Sequence, residues 1–483
     1  MAAYTVKLRV GSEDRDGGST FDRVGPVTGD VATSAAAASA QDAIDACDAA
    51  AAAFPEWSSL GPNARRSLLL KAADILESKA AKFSEVVMAE TGATKGWGGF
   101  NAKLATEMIR DAAALTTRMT GETIPADRPG TVSMSFRTPV GVVVGIAPWN
   151  APVILGTRAI ALPLACGNTV VLKGSEACPM THRMIVDAFL EAGIPDGVCN
   201  YICNDEADAP EVVKALVHHP AVRRVNFTGS TKVGKIIAKL AADGLKPALL
   251  ELGGKSPLVI LDDANLDEAV NAAVFGAFMN QGQICMSTER IIVQKSVADE
   301  FVSKFQARVS ALKTGRPEDE GTQIGGLVDL RTVEHVNELV DDGQSHGADI
   351  VLRGTADGAV MSPSIVNQVT QSMKIWSDES FGPVVCIAHA EDDEHAIELA
   401  NDTEYGLSAS VYASDINRAM NVAQKIESGI CHINGPTVFD EAQMPFGGVK
   451  SSGYGRFGGV YGINEFTDIR WVTINRGPIH YPI

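Results

Sequence analysis

The chain has 483 residues, 45% hydrophobic and 21% charged, as is typical of a globular protein of about three domains. Its 59 acidic residues exceed its 41 Lys and Arg residues, and the net charge of −18 disfavours nucleic acids and anionic membrane surfaces as partners. Residues 1–7 lack the apolar stretch of a secretory signal, and the eight cysteines form no CxxC pair. We therefore expect no membrane span, no metal site and a cytoplasmic location.

The first 140 residues change character twice. Residues 1 to about 40 are rich in Gly, Ser, Asp and Ala, and we expect an irregular arm there. Helical periodicity follows at 41–54, 65–79 and 98 to about 119. Turn signals then separate short β-like pieces over 121–136, and residues 132–136 alternate strictly. Such a ribbon is a candidate oligomer contact.

From residue 139 to about 250 strands and helices alternate. The apolar run 140–146 is typical of a strand buried on both faces, and further strands are expected at 169–172 and 223–227. Helices are expected near 151–164, 181–192, 209–217 and 230–241. This alternation predicts a doubly wound parallel sheet that binds its ligands at the carboxyl ends of the strands.

A second α/β unit is expected after residue 250. It has predicted strands at 290–293 and 408–412 and predicted helices near 298–312, 332–345 and 393–401. Residues 466–474 form a last predicted strand, far from any nucleotide motif. Pairing with a neighbouring subunit is a use that such a strand could have.

Three side chains could together attack a carbonyl group. Cys285 lies in a short loop after Gly282, which lets the backbone pass close to a bound molecule. Glu251 follows a predicted strand, and Asn150 follows another. A thiol, a carboxylate and an amide supply a nucleophile, a base for water and a donor to an oxyanion. Singly, each has another reading: inert core for the cysteine, a helix cap for Asn150 and a solvated carboxylate for Glu251.

Residues 229–236 resemble a phosphate-binding P-loop. Ile236 stands where that motif needs a hydroxyl for magnesium, which argues against nucleoside triphosphate hydrolysis. Backbone amides at a helix N-terminus could still face a pyrophosphate, with Ser230 as the cap or as a phosphate donor. A capped helix without a ligand is the alternative.

These segments, with 379–383 and 445–448, resemble the ordered motif set of the NAD(P)-dependent aldehyde dehydrogenases. The resemblance covers nearly the whole chain. It implies an α/β fold with a Rossmann-type cofactor domain (1–120 and 139–250), an α/β catalytic domain (251–445) and a small β oligomerisation element (121–138 and 464–483). It also implies a homodimer or homotetramer that oxidises a small-molecule aldehyde.

The resemblance assigns roles to residues. Cys285 becomes the nucleophile that forms a thioester, Glu251 the base for its hydrolysis to an acid, and Asn150 the oxyanion donor. Acyl transfer to coenzyme A would not need such a base. A thiol hydrolase remains an alternative, although no His forms a local motif with Cys285. Another alternative, a catalytically idle relative, is opposed by the intact set of three.

The same resemblance implies a nicotinamide cofactor. The implied contacts are Ile146, Trp149, Lys173, Ser175, Glu176, Gly229, Ser230, Leu252, Glu379 and Phe381. A carboxylate beside the adenosine ribose repels a 2′-phosphate, so Glu176 favours NAD. Lys173 and the flexible Gly174 leave NADP possible.

The substrate is less constrained. Arg158 shares a helix face with Asn150 at i+8 and could supply a channel cation for a phenolate or carboxylate, or it could pair with a structural carboxylate. Trp97 and Phe439 are candidates for an aromatic-lined pocket or for plain packing. Residues 453–459 and the ending 470–483 resemble aromatic aldehyde dehydrogenases of the salicylaldehyde and vanillin type. We expect an aromatic, hydroxylated aldehyde, and a dicarboxylic semialdehyde held by Arg158 is the alternative.

Overall fold

A mixed sheet of eight strands dominates the first half of the chain in the computed structural model, which describes residues 4–483. Residues 1–3, the start of the expected arm, lie outside the described part. Strands and helices are numbered along the chain. In spatial order this sheet contains β22 (Gly453–Tyr454), β12 (Ala248–Glu251), β11 (Val222–Thr228), β8 (Val142–Ile146), β9 (Thr169–Lys173), β10 (Cys199–Ile202), β2 (Leu8–Val10) and β3 (Glu13–Arg15).

The five central strands of this sheet, β12 to β10, run parallel. All residues of β8 and β9 are buried, as expected when helices cover both faces. Val143 packs into one apolar cluster, whereas Val142 and Val144 pack into another on the opposite face. The winding reverses between β8 and β11, and open sheets of this kind bind ligands at such a switch point.

A second, mostly parallel sheet of seven strands carries most of the later chain. Its spatial order is β15 (Asp349–Leu352), β18 (Ser364–Asn367), β19 (Val384–Ala390), β14 (Thr288–Gln294), β13 (Ser256–Ile260), β20 (Ser408–Tyr412) and β21 (Ile430–Ile433). Only β15 pairs antiparallel among these described strands. Alternate residues of β14 enter apolar clusters on the two faces of the sheet. The predicted second α/β unit is therefore present.

Helices cover both large sheets, and every helix expected from the periodicity is present. The α-helices are α1 (Ala40–Ser59), α2 (Pro62–Ser78), α3 (Ala80–Thr91), α4 (Lys95–Leu115), α5 (Pro152–Ala165), α6 (Pro179–Glu191), α7 (Ala209–His218), α8 (Thr231–Asp243), α9 (Leu266–Phe278), α10 (Lys295–Ser310), α11 (Leu330–Ser345), α12 (Lys374–Ser377), α13 (Asp393–Asn401), α14 (Ile416–Ala423) and α15 (Gly459–Glu465). Short 3-10 helices occupy Glu206–Asp208, Met279–Gly282 and Lys450–Ser452. Over residues 4–483, none of the helices is both long enough and apolar enough to cross a membrane.

The predicted ribbon and the last strand form one small sheet. In it β7 (Thr131–Pro139) lies between β6 (Thr123–Ile124) and β23 (Thr467–Asn475). The last strand pairs antiparallel with β7 at nine positions within the same chain. The other side of β23 is an edge of the sheet. Trp471 and Ile469 lie on this edge strand, and their side chains are exposed.

The expectation of an irregular N-terminal arm is wrong for the described residues. A three-stranded sheet contains β1 (Tyr4–Val6), β5 (Val31–Ala37) and β4 (Ser19–Val24), and β2 and β3 extend the large sheet. Alanine has a low β propensity, but pairing of β5 with strands on both sides overrides it. Helix α3 is not among the predicted elements. It begins at Ala80, directly after Lys79, and ends at Thr91, where Gly92 caps it with a φ of 76°. The remaining two-stranded sheet joins β16 (Ala356–Asp357) to β17 (Val360–Met361).

Candidate active site

Two cavities meet at Cys285 and Asn150, between the two large sheets. The first, of about 270 Å³, lies at the carboxyl ends of β8, β11 and β12. It is lined by Pro148, Trp149, Asn150, Thr228, Gly229, Ser230, Glu251, Leu252, Gly253, Cys285, Glu379 and Phe381. The second, of about 380 Å³, is mainly apolar and is lined by residues of α4, α5 and α9 and of the segment 436–446. Cys285 and Asn150 line both, so the thiol faces both cavities.

The loop before Cys285 has an unusual backbone. Asn280, Gln281 and Gly282 all have positive φ, at 49°, 59° and 74°. Such conformations cost energy for residues with a side chain and persist where the surroundings fix them. Across the loop, a Cβ on Gly254 would come within 2.3 Å of the Cys285 carbonyl oxygen, so only glycine permits this approach.

Buried amide side chains hold this loop in place. The Gln281 side chain donates to the carbonyl of Gly326 at 2.9 Å and accepts from the N–H of Gly325 at 3.1 Å. Gln283 accepts from the N–H of Val328 at 3.0 Å. These bonds pair buried polar groups and fix the position of the thiol.

Asn150 is attached to the same loop. Its side-chain Nδ2 donates to the carbonyl of Gln283 at 3.1 Å, and its own carbonyl accepts from Asn280 Nδ2 at 3.0 Å and Trp97 Nε1 at 2.9 Å. An amide NH₂ has two N–H donors, so one remains for another acceptor. The helix-cap reading is not supported, because Asn150 caps no helix and α5 begins after Ala151 without a side-chain cap.

Glu251 is the last residue of β12 and is buried, with 1% exposure. Neither of its carboxylate oxygens has a hydrogen-bond partner among the described residues. Burial raises the pKa of Glu251 to about 7, against the opposing effects of the neighbouring Cys285 thiol and of the Arg158 charge. A carboxyl group with this pKa changes its protonation state near neutral pH, which suits a general base. The solvated-loop reading does not fit this environment.

The Cys285 thiol is influenced by the same surroundings. Burial, together with the neighbouring Glu251 carboxylate, raises the pKa of Cys285 well above its ordinary value. The thiol is therefore protonated in the free protein at neutral pH and needs a base before it attacks. No histidine is found among the described residues that line the two cavities, so a Cys–His hydrolase site is not assembled here.

The first cavity fits a nicotinamide cofactor. Six residues of the implied cofactor set line it: Trp149, Gly229, Ser230, Leu252, Glu379 and Phe381. The hydroxyl of Ser230 accepts from the N–H of Val233 and caps α8, whose N-terminus borders the cavity. The rings of Trp149 and Phe381 meet edge to face, with centroids 5.7 Å apart.

The other four implied cofactor residues lie away from this cavity. Ile146 and Lys173 are paired neighbours at the ends of β8 and β9, and both are buried. Ser175 is buried, and its N–H donates to His182 Nδ1 at 3.0 Å. Glu176 is partly exposed, with a carboxylate 3.6 Å from the Lys173 ammonium. Their contact with the adenosine end of a cofactor stays a prediction.

A buried ion pair missed by the sequence analysis holds the segment 379–381. Lys255 and Glu289 lie 2.7 Å apart, with side chains 0% and 5% exposed. Glu289 also accepts from the hydroxyl of Ser380 at 2.8 Å and from the N–H of Phe381 at 3.2 Å. Phe381 has a φ of 45°, so this carboxylate fixes a strained residue. The sequence does not reveal this arrangement, because Lys255 and Glu289 are 34 positions apart and only the fold brings them together.

Arg158 lines the apolar cavity but is not a free cation. Its guanidinium donates to a carboxylate oxygen of Asp440, and the two side chains are 7% and 9% exposed. The guanidinium carbon also lies 4.3 Å from the ring centre of Phe446 and 5.5 Å from that of Phe457. Arg158 therefore lines the cavity, as the channel hypothesis expects, and its charge is paired with a carboxylate, as the alternative expects. Contact between Arg158 and a substrate stays a prediction.

Trp97 and Phe439 both line the apolar cavity. Trp97 is buried and stacks on Phe100 with centroids 5.5 Å apart, whereas Phe439 is 45% exposed and meets His432 edge to face. The cavity lining is completed by Leu104, Ala151, Ile154, Leu155, Phe275, Met279, Ile284, Met286, Pro436, Val438, Asp440 and Phe446. A molecule in this cavity thus meets mainly aromatic and aliphatic carbon.

Comparison with known proteins identifies the class. The model of the aldehyde dehydrogenase family matches residues 13–472, and the chain belongs to that family. It is therefore an oxidoreductase that acts on aldehydes with a nicotinamide cofactor, and the predicted fold is confirmed.

Individual members of the family are similar to the chain over nearly its full length. The chain is 54% identical over 481 residues to a vanillin dehydrogenase of Pseudomonas fluorescens, covering 99% of both chains. It is 49% identical to a salicylaldehyde dehydrogenase of Pseudomonas sp. strain C18, covering 96% of both. The crystal structure of a salicylaldehyde dehydrogenase from Pseudomonas putida G7 complexed with salicylaldehyde matches with a TM-score of 0.98 and 48% identity, over 99% of this chain and 100% of that one.

The Lys255–Glu289 pair makes a testable contribution to stability. Replacing one member leaves the other charge buried without its counter-charge, so Glu289→Gln should lower the free energy of unfolding by about 3–5 kcal/mol. The exposed Glu300–Lys304 pair, 3.2 Å apart, is the matched control. Glu300→Gln should cost about 1 kcal/mol or less. Urea unfolding of both variants makes the comparison, and equal losses would refute the role given to the buried pair.

Proposed function

We propose that this enzyme oxidises an aromatic, hydroxylated aldehyde to the carboxylic acid, with NAD as the preferred cofactor. The observation that carries the proposal is the meeting, at Cys285, of a cavity lined by six implied cofactor residues and an apolar, aromatic-lined cavity. An aromatic ring in the second cavity would present its aldehyde carbon to the sulfur. The likeness to vanillin and salicylaldehyde dehydrogenases supports this substrate class.

Cys285 acts as the nucleophile in the proposed cycle. Its thiolate attacks the aldehyde carbon, and the second N–H of the Asn150 amide and the Cys285 backbone N–H stabilise the oxyanion that forms. The bonds that Asn280 and Trp97 donate to Asn150, and the bond that Asn150 donates to Gln283, hold Asn150 in position before the reaction. A bound nicotinamide ring supplies the acceptor for the hydride, and the acyl group remains on Cys285 as a thioester.

Glu251 acts as the base in the proposed cycle. Its unpaired, ionised carboxylate can accept a proton from the water that hydrolyses the thioester. With the pKa of Glu251 near 7 and that of Cys285 well above its ordinary value, Glu251 is also the neighbour that can take the thiol proton. It then releases this proton to solvent, and the ionised carboxylate is restored before it accepts a proton from water. Acyl transfer to coenzyme A is not favoured, since a buried base beside the thiol suits water.

The proposed preference for NAD rests on Glu176. A carboxylate beside the adenosine ribose accepts from its hydroxyls and repels a 2′-phosphate. The Lys173 ammonium, which would attract that phosphate, lies 3.6 Å from Glu176 and is 8% exposed. Its charge is therefore partly balanced by the carboxylate.

The runner-up substrate, a dicarboxylic semialdehyde, fits the cavity less well. Among the described residues that line the apolar cavity, Arg158 is the only cation, and it is already paired with Asp440. A distal carboxylate would meet the Asp440 charge and lose its water without gaining a free partner.

We also propose a homodimer or homotetramer and a reducing, cytoplasmic setting. The exposed Trp471, Ile469 and Ile474 on edge strand β23 support a subunit contact. All eight cysteines are free thiols, which suits a reducing compartment. The division into a cofactor domain (1–120 and 139–250), a catalytic domain (251–445) and an oligomerisation element (121–138 and 464–483) is part of the same proposal.

Reduced cofactor formation, followed by absorbance, tests the proposed function. Salicylaldehyde, vanillin, benzaldehyde and succinic semialdehyde are compared, each with NAD and with NADP. The aromatic compounds should exceed the semialdehyde in kcat/KM by about 100-fold, because an unpaired carboxylate is costly to bury in an apolar cavity. NAD should give the higher rates.

The variant Cys285→Ala should be inactive with every aldehyde. Cys431→Ser is its control, since Cys431 is a partly buried thiol that lines neither cavity, and it should keep normal rates. A higher kcat/KM for the semialdehyde would overturn the substrate assignment. Full activity of Cys285→Ala would overturn the mechanism.

The pKa of Glu251 predicts a pH dependence. The base must be ionised, so kcat should fall as the pH drops below about 7 and should level off above it. Glu251→Gln should lose this limb of the profile and lower kcat by about 100-fold or more. A Glu251→Gln profile that still falls below pH 7 with an unchanged plateau would assign the limb to another group.

A further inference from the structure

One carboxylate oxygen of Asp440 accepts a hydrogen bond from the protein, and the other has no hydrogen-bond partner among the described residues. Oδ2 accepts from the Arg158 guanidinium, whereas Oδ1 is buried and has no hydrogen-bond partner among the described residues. The side chain is 9% exposed and lines the apolar cavity that Cys285 also lines. A buried carboxylate oxygen without a donor is costly, and it is a ready acceptor for a molecule that brings one.

Arg158 holds Asp440 in this state. The guanidinium is packed against the faces of Phe446 and Phe457 and donates to Oδ2. A guanidinium has donors but no acceptor, so it cannot itself recognise anything that needs to donate. The pair therefore places a carboxylate of fixed position in the wall of the cavity, in a lining that is otherwise mainly carbon.

We propose that Oδ1 of Asp440 accepts a hydrogen bond from the phenolic hydroxyl of the substrate and thereby selects hydroxylated over unsubstituted aromatic aldehydes. This inference rests on the proposed function and adds a specificity residue to it. Asp440 takes no part in bond making. It acts on substrate binding in the cavity, while Cys285, Glu251 and Asn150 act on the aldehyde group.

The charge of the site limits which substrates it can take. The Asp440–Arg158 pair is balanced, so a neutral phenol can approach Oδ1 without charge repulsion. A phenolate has lost the proton that it would donate, and a carboxylate would be repelled. The preference for hydroxylated over unsubstituted aromatic aldehydes should therefore decline as the pH rises through the pKa of the substrate phenol.

A substrate series in the unaltered protein gives the first test. The kcat/KM values of the three hydroxybenzaldehydes, the three methoxybenzaldehydes and benzaldehyde are compared at neutral pH. The best hydroxy isomer should exceed both its methoxy counterpart and benzaldehyde by about tenfold or more, as for a hydrogen bond to a charged acceptor. No such preference would overturn the inference without touching the proposed function.

Asp440→Asn gives the second test. Because Arg158 can only donate, the new amide turns its oxygen to Arg158 and places its NH₂ group where Oδ1 was. The ratio of kcat/KM for the best hydroxy isomer to that for benzaldehyde should fall about tenfold or more in Asp440→Asn. Using a ratio cancels any change in the ionisation of Glu251, which both substrates share.

Glu441→Gln is the matched control. It removes the same charge at the next position, whose side chain borders a small cavity of about 30 Å³ and not the apolar one. In Glu441→Gln the ratio of kcat/KM for the best hydroxy isomer to that for benzaldehyde should equal the ratio in the unaltered protein. Asp440 borders the small cavity too, and if Oδ1 serves only that side, Asp440→Asn will leave the ratio unchanged and the inference falls.

Failure of the proposed function has a different signature. If the unaltered protein oxidises none of these aromatic aldehydes, both the proposed function and this inference are overturned. Equal losses for benzaldehyde and the hydroxy isomers in Asp440→Asn would reduce Asp440 to a structural partner of Arg158. Because the substrate series needs no variant, poor folding of Asp440→Asn would leave the first test in force.

Discussion

The hydrogen bond from Asn150 to the carbonyl of Gln283 joins the two halves of the site. Asn150 follows β8 of the first sheet, and Gln283 belongs to the loop that leads into β14 of the second. Asn280 returns a bond to the Asn150 carbonyl, so the two loops hold each other. Both cavities open at this junction, and the position of the Cys285 thiol depends on it.

Burial at this junction sets the chemistry as well as the geometry. Glu251 is almost completely buried, and this burial raises the pKa of its carboxyl group to about 7. The same burial raises the pKa of Cys285, so the thiol of the free protein is protonated and the proposed nucleophile needs a base to remove its proton. Two buried ion pairs fix the surroundings: Lys255–Glu289 behind the segment 379–381, and Arg158–Asp440 at the apolar cavity.

The sequence predicted the elements whose residues show a clear period or a buried run, such as β8, β9, α5 and α8. It failed where tertiary pairing decides, as in the Ala-rich β5, which is a strand only because β1 and β4 flank it. Cys285, Glu251 and Asn150, which line one cavity, could be proposed from the sequence because each lies in a local motif. The roles of Glu289 and Asp440 were not predicted, because each depends on a partner that is distant in sequence. Lys255 lies 34 positions from Glu289, and Arg158 lies 282 positions from Asp440.

Trapping of an acyl group on Cys285 tests the central claim most directly. Rapid quenching of the unaltered protein with benzaldehyde and NAD should capture a benzoyl group on the Cys285 peptide, detected by mass spectrometry, whereas Glu251→Gln, which lacks the proposed base, should form it far more slowly. One equivalent of NADH should form with each benzoyl group. The same equivalent of NADH with an unmodified Cys285, or with the acyl group on another cysteine, would contradict the account.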